Sequence, residues 1–135
     1  MTPIAKVWEQ MNLAWEYEAD RIWIVNVGDI KPMEYPTEFF LRMAWDPEYW
    51  NRERLPEFGR LWAEREFGAE FAEPIAELVT GYTRHNGRRK PEQQSADTYS
   101  LLNYREAERI EQELAALTEQ ANAIYAQLPE ARRDA

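Results

Sequence analysis

Residues Arg21 to Pro36 read RIWIVNVGDIKPMEYP, and the fold assignment turns on the first half of that stretch. Ile22, Trp23, Ile24 and Val25 form an unbroken apolar run that passes into Asn26, Val27, Gly28 and Asp29. Such a run is the pattern of a β-strand covered on both faces, as in parallel sheets flanked by helices. A lone strand cannot satisfy its own backbone donors and acceptors, so its ladder partners must be other strands. The sequence offers no second convincing strand. The expectation is therefore the rim of an active site in a larger enzyme, of which this chain is the end.

On either side the pattern is helical. Ile4, Val7, Trp8, Met11, Ala14 and Trp15 recur every three or four residues and predict a helix from about Pro3 to Glu18, with Pro3 in its first turn and Thr2 as N-cap. The short Ala19-Asp20 link then enters the strand, as in βα-type architectures. Beyond it, Gly28, Pro32 and Pro36 mark a loop carrying Asp29, Lys31 and Glu34. A helix start is read at Pro36-Thr37-Glu38, with Phe39, Phe40, Met43 and Ala44 inward.

Two further helices follow. One runs from Pro56 to Phe67, with Phe58, Leu61 and Trp62 inward and Gly68 as its stop. The other is marked by Phe71, Ile75, Leu78, Val79 and Tyr82, accommodates Pro74 in its first turn, and ends near His85-Asn86-Gly87. GRRKPEQQSAD reads as a connecting loop, with Ser95 or Asp97 as cap of the last element. That last helix has the clearest seam: Ala107, Ile110, Leu114, Leu117, Ala121, Ile124 and Leu128. Pro129 ends it, and the tail EARRDA is expected to fray. The fold class is mainly α: a helical bundle preceded by one helix and one β-strand.

With 135 residues and 44% hydrophobic content the chain is long enough for a real core. Six Trp, seven Tyr and five Phe need a core, an interface or a ligand surface to cover them. A net charge of −9 and a pI near 4.7 argue against sequence-independent binding to nucleic acid or to anionic lipid. No apolar stretch reaches the roughly 18 residues of a transmembrane helix, and the first twenty residues lack a signal-peptide pattern. The absence of Cys removes disulfides and thiolate chemistry and leaves the compartment undecided.

The candidate chemistry lies where the strand ends, because functional residues of α/β folds gather at the C-terminal ends of strands. Asn26 can both donate and accept hydrogen bonds, which suits sugar hydroxyls or a carboxylate; the alternative is that it turns the backbone ahead of Gly28. Asp29 and Glu34 could serve general acid or base catalysis; the alternative makes Asp29 a turn residue and Glu34 the partner of Lys31. Lys31 could neutralise an acidic substrate group or brace the loop. The one basic cluster, Arg84 to Lys90, reads as a contact for an anionic sugar or an acidic partner surface, or as solvated charge at a helix end. His85, the only His, has no triad-like neighbours in sequence. No Walker loop, dinucleotide fingerprint or metal-ligand spacing is present, so no cofactor and no metal is expected.

The string from Arg21 to Asn51, RIWIVNVGDIKPMEYPTEFFLRMAWDPEYWN, resembles glycoside hydrolase family 115, the xylan α-1,2-glucuronidases. The similarity continues through Arg65–Gly68 (REFG), Arg88–Glu92 (RRKPE) and Thr98–Arg109 (TYSLLNYREAER). The resemblance implies a large multidomain enzyme with a catalytic (β/α)8 barrel followed by a helical domain, removing glucuronic or 4-O-methylglucuronic acid from xylan with inversion. On that comparison, residues 1–35 are the last helix and strand of the barrel with its active-site loop, and 36–135 the helical bundle domain. Asn26 would then face the uronic-acid pocket, with Asp29, Lys31 and Glu34 lining it and Gly28 setting loop geometry. No general acid or base can be assigned on this piece, and the chain alone is expected to be inactive.

The partners implied are the remainder of the catalytic barrel, glucuronoxylan or its oligosaccharides, and, as an option, a second copy in a homodimer. Members of the resembling family are commonly secreted or periplasmic. The competing expectation is a helical interaction or structural domain without catalytic activity, with Arg21–Val27 as an arm that adds to a partner's sheet.

Overall fold

A computed structural model describes residues 1–133 and is helical, with five α-helices among those residues. These are α1 (Ile4–Glu16), α2 (Glu34–Trp45), α3 (Leu55–Phe67), α4 (Ala72–Arg88) and α5 (Glu106–Gln127). The clearest sequence periods are the faces that pack. In α5 every seam residue from Ala107 to Leu128 is buried or half-buried, whereas Glu111, Glu113 and Glu119 are exposed. In α1, Ile4, Val7, Trp8, Met11 and Ala14 turn inward, and only Trp15 of the expected face is exposed.

The core is aromatic and sits between α1, α2 and α3. Tyr35, Phe39, Met43, Trp50 and Phe58 are buried together with Ile4, and Val7, Trp8, Met11 and Trp62 pack around them. Phe58 lies at its centre, with ring centroids 5.3 Å from Tyr35, 5.1 Å from Phe39 and 5.5 Å from Trp50. Most of these pairs are edge-to-face, the arrangement that brings the positive rim of one ring to the negative face of another. A second cluster, Ala63, Ile75, Ala76 and Leu128, joins α3, α4 and the end of α5.

The β-strand is not found. Among the described residues none belongs to a strand, and Arg21–Val27 has neither helical nor ladder structure. Ile22 is 78% and Ile24 89% exposed. Only Trp23 enters the core, 6.1 Å from Phe40, with its indole N–H donating to the Ala19 carbonyl. The physical reason is the one that made the segment conspicuous: a strand exists through its partners, and the chain supplies none.

Smaller expectations are corrected at helix ends. Pro3, not Thr2, holds the N-cap position of α1, and its carbonyl accepts from the N–H groups of Lys6 and Val7. α2 starts at Glu34, two residues before Pro36, and α4 runs on to Arg88. Ala44, Leu61 and Tyr82 are exposed rather than inward. Ser95 and Asp97 do not cap α5; Arg105, in a left-handed conformation, precedes it without a side-chain cap. The tail does not fray up to Arg133: Glu130–Arg132 form a 3-10 turn, Arg132 donates to the Phe67 carbonyl and Arg133 to the Leu128 carbonyl at 3.1 Å. The last two tail residues lie outside the described residues. Gly68 does stop α3, at φ +98 and ψ 159, a conformation open essentially to Gly alone.

Candidate functional site

The loop between α1 and α2 carries Asn26, Asp29 and Lys31, and Glu34 follows as the first residue of α2. Asn26 is exposed, and its Oδ1 accepts the Gly28 N–H at 3.2 Å. This is the Asx-type turn in which a short side chain mimics a backbone carbonyl. Gly28, at φ +66, takes the left-handed conformation that the turn requires, with open space where a side chain would stand. The Asn26 amide nitrogen makes no hydrogen bond within this turn, so its donor capacity is still available.

Asp29 is exposed, and a tight turn closes behind it through the Met33 N–H and the Ile30 carbonyl at 2.6 Å. The Lys31-Pro32 bond is cis. Lys31 Nζ lies 4.0 Å from Glu34 Oε1, a three-residue pair in which Glu34 already belongs to the first turn of α2. A carboxylate there is favoured by the helix dipole. Asn26, Asp29 and Lys31 thus share one exposed loop that runs into the half-buried Glu34, and the local roles weighed for Asn26 and Glu34 are both realised.

Three cations of the basic cluster are engaged by nearby residues. Arg88 pairs with Glu113 of α5 at 2.6 Å, Lys90 with Glu92 at 3.9 Å, and Arg89 donates to the Gln93 carbonyl at 3.2 Å. The Arg88 hydrogen bond, with further attraction from Arg88, Arg84 and His85, holds the Glu113 carboxyl below the usual range. His85 is buried, with Nδ1 lacking a hydrogen-bond partner. Burial, reinforced by the Arg88 charge and opposed by Glu113, pushes its imidazole below the ordinary value.

Two features went unnoticed in the sequence. Arg65 grips Glu38 with two parallel contacts, 2.8 and 2.5 Å, tying α3 to α2, while Arg42 donates to the same carboxylate at 2.7 Å. The Arg65 hydrogen bond is the main cause that lowers the Glu38 carboxyl, against the opposing effect of burial. Only the four-residue Glu38–Arg42 spacing was a sequence signal. Tyr35 is buried, which pushes its phenol up to about 12; the Thr80 hydroxyl offsets part of this without reaching hydrogen-bonding geometry. Its spacing of four from Phe39 was the available clue.

A cavity of about 1080 Å³ forms a groove between α1, the start of α3, α4 and Leu117 of α5. Its floor includes Ile4, Trp8, Leu55 and Ala76, and its rim Lys6, Glu9, Arg52, Glu73, Glu77 and Arg84. None of Asn26, Asp29, Lys31 and Glu34 lines it. The loop is an open surface rather than an enclosed pocket. Among the described residues no group of three or more His, Asp or Glu is arranged to hold a metal ion, and no helix is long and apolar enough to cross a membrane.

The sequence model of glycosyl hydrolase family 115 matches residues 1–93, more than half of the chain. The chain belongs to glycosyl hydrolase family 115. No curated protein matched it. The matched region takes in α1 to α4, the whole Asn26–Glu34 loop, the Arg65–Gly68 stretch with its grip on Glu38, and Arg88–Glu92. Residues Thr98–Arg109 and α5 lie beyond it. A family 115 chain is thereby a glycoside hydrolase sequence, and within the match the loop carries the exposed side chains of Asn26, Asp29 and Lys31.

Proposed function

We propose that the chain forms one wall of a xylan α-1,2-glucuronidase site. Residues 1–35 contribute the last helix and strand of a catalytic (β/α)8 barrel with its loop, and residues 36–135 a helical domain beside it. The observation that carries this reading is the coincidence, inside the family match, of a polar loop with an apolar run left uncovered. Ile22, Ile24 and Val25 are exposed, and such a run becomes a strand only beside the strands of the remaining barrel.

In that setting the Asn26 amide donates to a hydroxyl or the carboxylate of glucuronic or 4-O-methylglucuronic acid, and Lys31 supplies the opposing charge. Gly28 sets the turn, and Asp29 and Glu34 line the pocket. Glu34 beside Lys31 limits its attraction to that of a shared cation. Inverting hydrolysis needs one carboxyl to protonate the leaving oxygen and another to activate water, roughly 6.5–9.5 Å apart. A barrel site draws such groups from several strands, so the chain alone does not turn over. Its partners are the rest of the barrel and glucuronoxylan or its oligosaccharides; a second copy is a further option.

The test is direct. Purified chain incubated with glucuronoxylan is expected to release no uronic acid, and release would overturn the reading of a partial site. In a longer protein that includes the barrel, Asn26→Ala is expected to lower kcat/KM by roughly tenfold or more, the scale of a lost hydrogen bond to a charged group. Unchanged kinetics would remove Asn26 from the site.

A further inference from the structure

The basic cluster leaves one cation over. Arg88, Arg89 and Lys90 are engaged, whereas Arg84 has no ion pair and no hydrogen bond among the described residues. Arg84 belongs to the face of α4 that meets α5, with His85 beside it and Arg88 one turn on. Gly81 lies on the same face, and a Cβ there would stand 2.9 Å from Leu117 Cδ2, so the two helices touch at this point. Beside that contact they leave a cavity of about 170 Å³, whose polar lining is Arg84, His85 and Arg88 from α4 and Glu113 and Gln120 from α5.

His85 is 7% exposed, and its buried Nδ1 meets no protein group. A buried imidazole nitrogen calls for a partner, because leaving it unmet costs free energy. Tyr99, 6.4 Å away between ring centroids, does not supply one, and its own hydroxyl is likewise buried without a hydrogen bond. Glu113 is taken by Arg88 at 2.6 Å, and the Gln120 amide makes no hydrogen bond among the described residues. Two guanidinium groups against one carboxylate leave this cavity cationic on a chain of net charge −9. Burial and then the Arg88 charge lower the His85 imidazole; the Arg88 hydrogen bond, and then the charges of Arg88 and Arg84, lower the Glu113 carboxyl. Burial apart, both shifts have the sign of a positive local field.

We propose that the cavity between α4 and α5 binds a tetrahedral oxyanion of the phosphate type. Arg84 and the Gln120 amide donate to it from the two facing helices, and the neutral His85 imidazole donates through its Nδ1–H. Four oxygens spread over a tetrahedron can meet donors on both helices at once, and the guanidinium fork matches two of them together. The two oxygens of a planar carboxylate have less reach. Protonation of His85 adds a positive charge beside the anion. Binding therefore tightens as pH falls through the His85 titration, and bound anion moves that titration to higher pH. The charged groups facing His85 are Arg84 and Arg88 on α4 and Glu113 on α5, and Tyr99 faces it from the loop before α5. No residue of the Asn26–Glu34 loop lines the cavity, so the site stands apart from the uronate reading.

His85 is the only histidine, so its imidazole proton resonances report on the cavity without assignment. The test follows them while the whole chain is titrated with sodium phosphate or sodium sulfate, against sodium chloride at equal ionic strength. Saturable movement with both tetrahedral anions is expected. In saturating sulfate, whose own charge is constant over the range, His85 is expected to titrate at higher pH. Arg84→Gln should weaken binding about tenfold or more, the scale of a lost hydrogen bond to a charged group, and Arg84→Lys should weaken it less. Lys6→Gln, which removes a cation outside the cavity, should leave it unchanged. Resonances that do not move, movement matched by chloride, acetate bound as tightly as sulfate, or equal weakening by Lys6→Gln and Arg84→Gln would each overturn the site.

Discussion

The Ile22–Val25 run and the Phe58 cluster are made of similar residues and meet opposite fates. Phe58 is 2% exposed and touches three rings from two other segments. Ile24 stands almost wholly in water. The difference lies in what each can recruit from its own chain. A helix closes its backbone hydrogen bonds internally, so α2 and α3 need only side-chain partners to bury a face. The apolar run needs a neighbouring backbone as well, and its side chains remain uncovered without one.

The largest effect that separates the two regions is truncation of a side chain in each. Phe58→Ala is expected to cost about 3–5 kcal/mol of unfolding free energy, and Ile24→Ala within about 0.5 kcal/mol of zero. Urea denaturation of both variants checks this. A comparable loss at Ile24 would mean that the run is covered by another part of the chain or by a second copy.

A smaller effect probes the joint between the helices of the packed region. Gly68→Ala forces a side chain into a Gly-only conformation and against the Arg132 guanidinium, at a cost of roughly 1–3 kcal/mol. The corresponding Gly28→Ala change, at φ +66 in open space, should cost about 1 kcal/mol from the backbone alone. Thermal unfolding of the pair ranks them.

The smallest effects are electrostatic and depend on pH. Glu38 is held below its unfolded value, chiefly by Arg65. Its contribution is fully present above the unfolded carboxylate range and fades as pH falls through the folded value. With both partners partly exposed it should amount to about 1 kcal/mol or less, reduced by salt and absent in Glu38→Gln. His85 is also depressed, by burial first. The unfolded chain therefore binds the extra proton, and stability falls as pH drops below the ordinary histidine value. His85→Gln should flatten that part of the stability profile, measured by denaturation at several pH values.

What was legible in the sequence was local. The seams of α1 and α5, the stop at Gly68, the Asx turn at Asn26–Gly28 and the Lys31–Glu34 pair all involve residues within a few positions of one another, whose spacing fixes whether they can meet. The bidentate Arg65–Glu38 grip spans 27 positions, the groove draws on four helices, and the docked Arg132 reaches back to Phe67. No period records such meetings.

By itself the sequence determined that this chain is mainly helical, acidic, without cysteine chemistry, and similar to family 115 around an unusual loop. Only the tertiary structure decided that the apolar run lies open, that Tyr35 and His85 are buried, and that Trp45 faces solvent. Periodicity assigns a side chain to a face of its own element, but burial depends on what lies opposite that face, and this is fixed only when the elements pack.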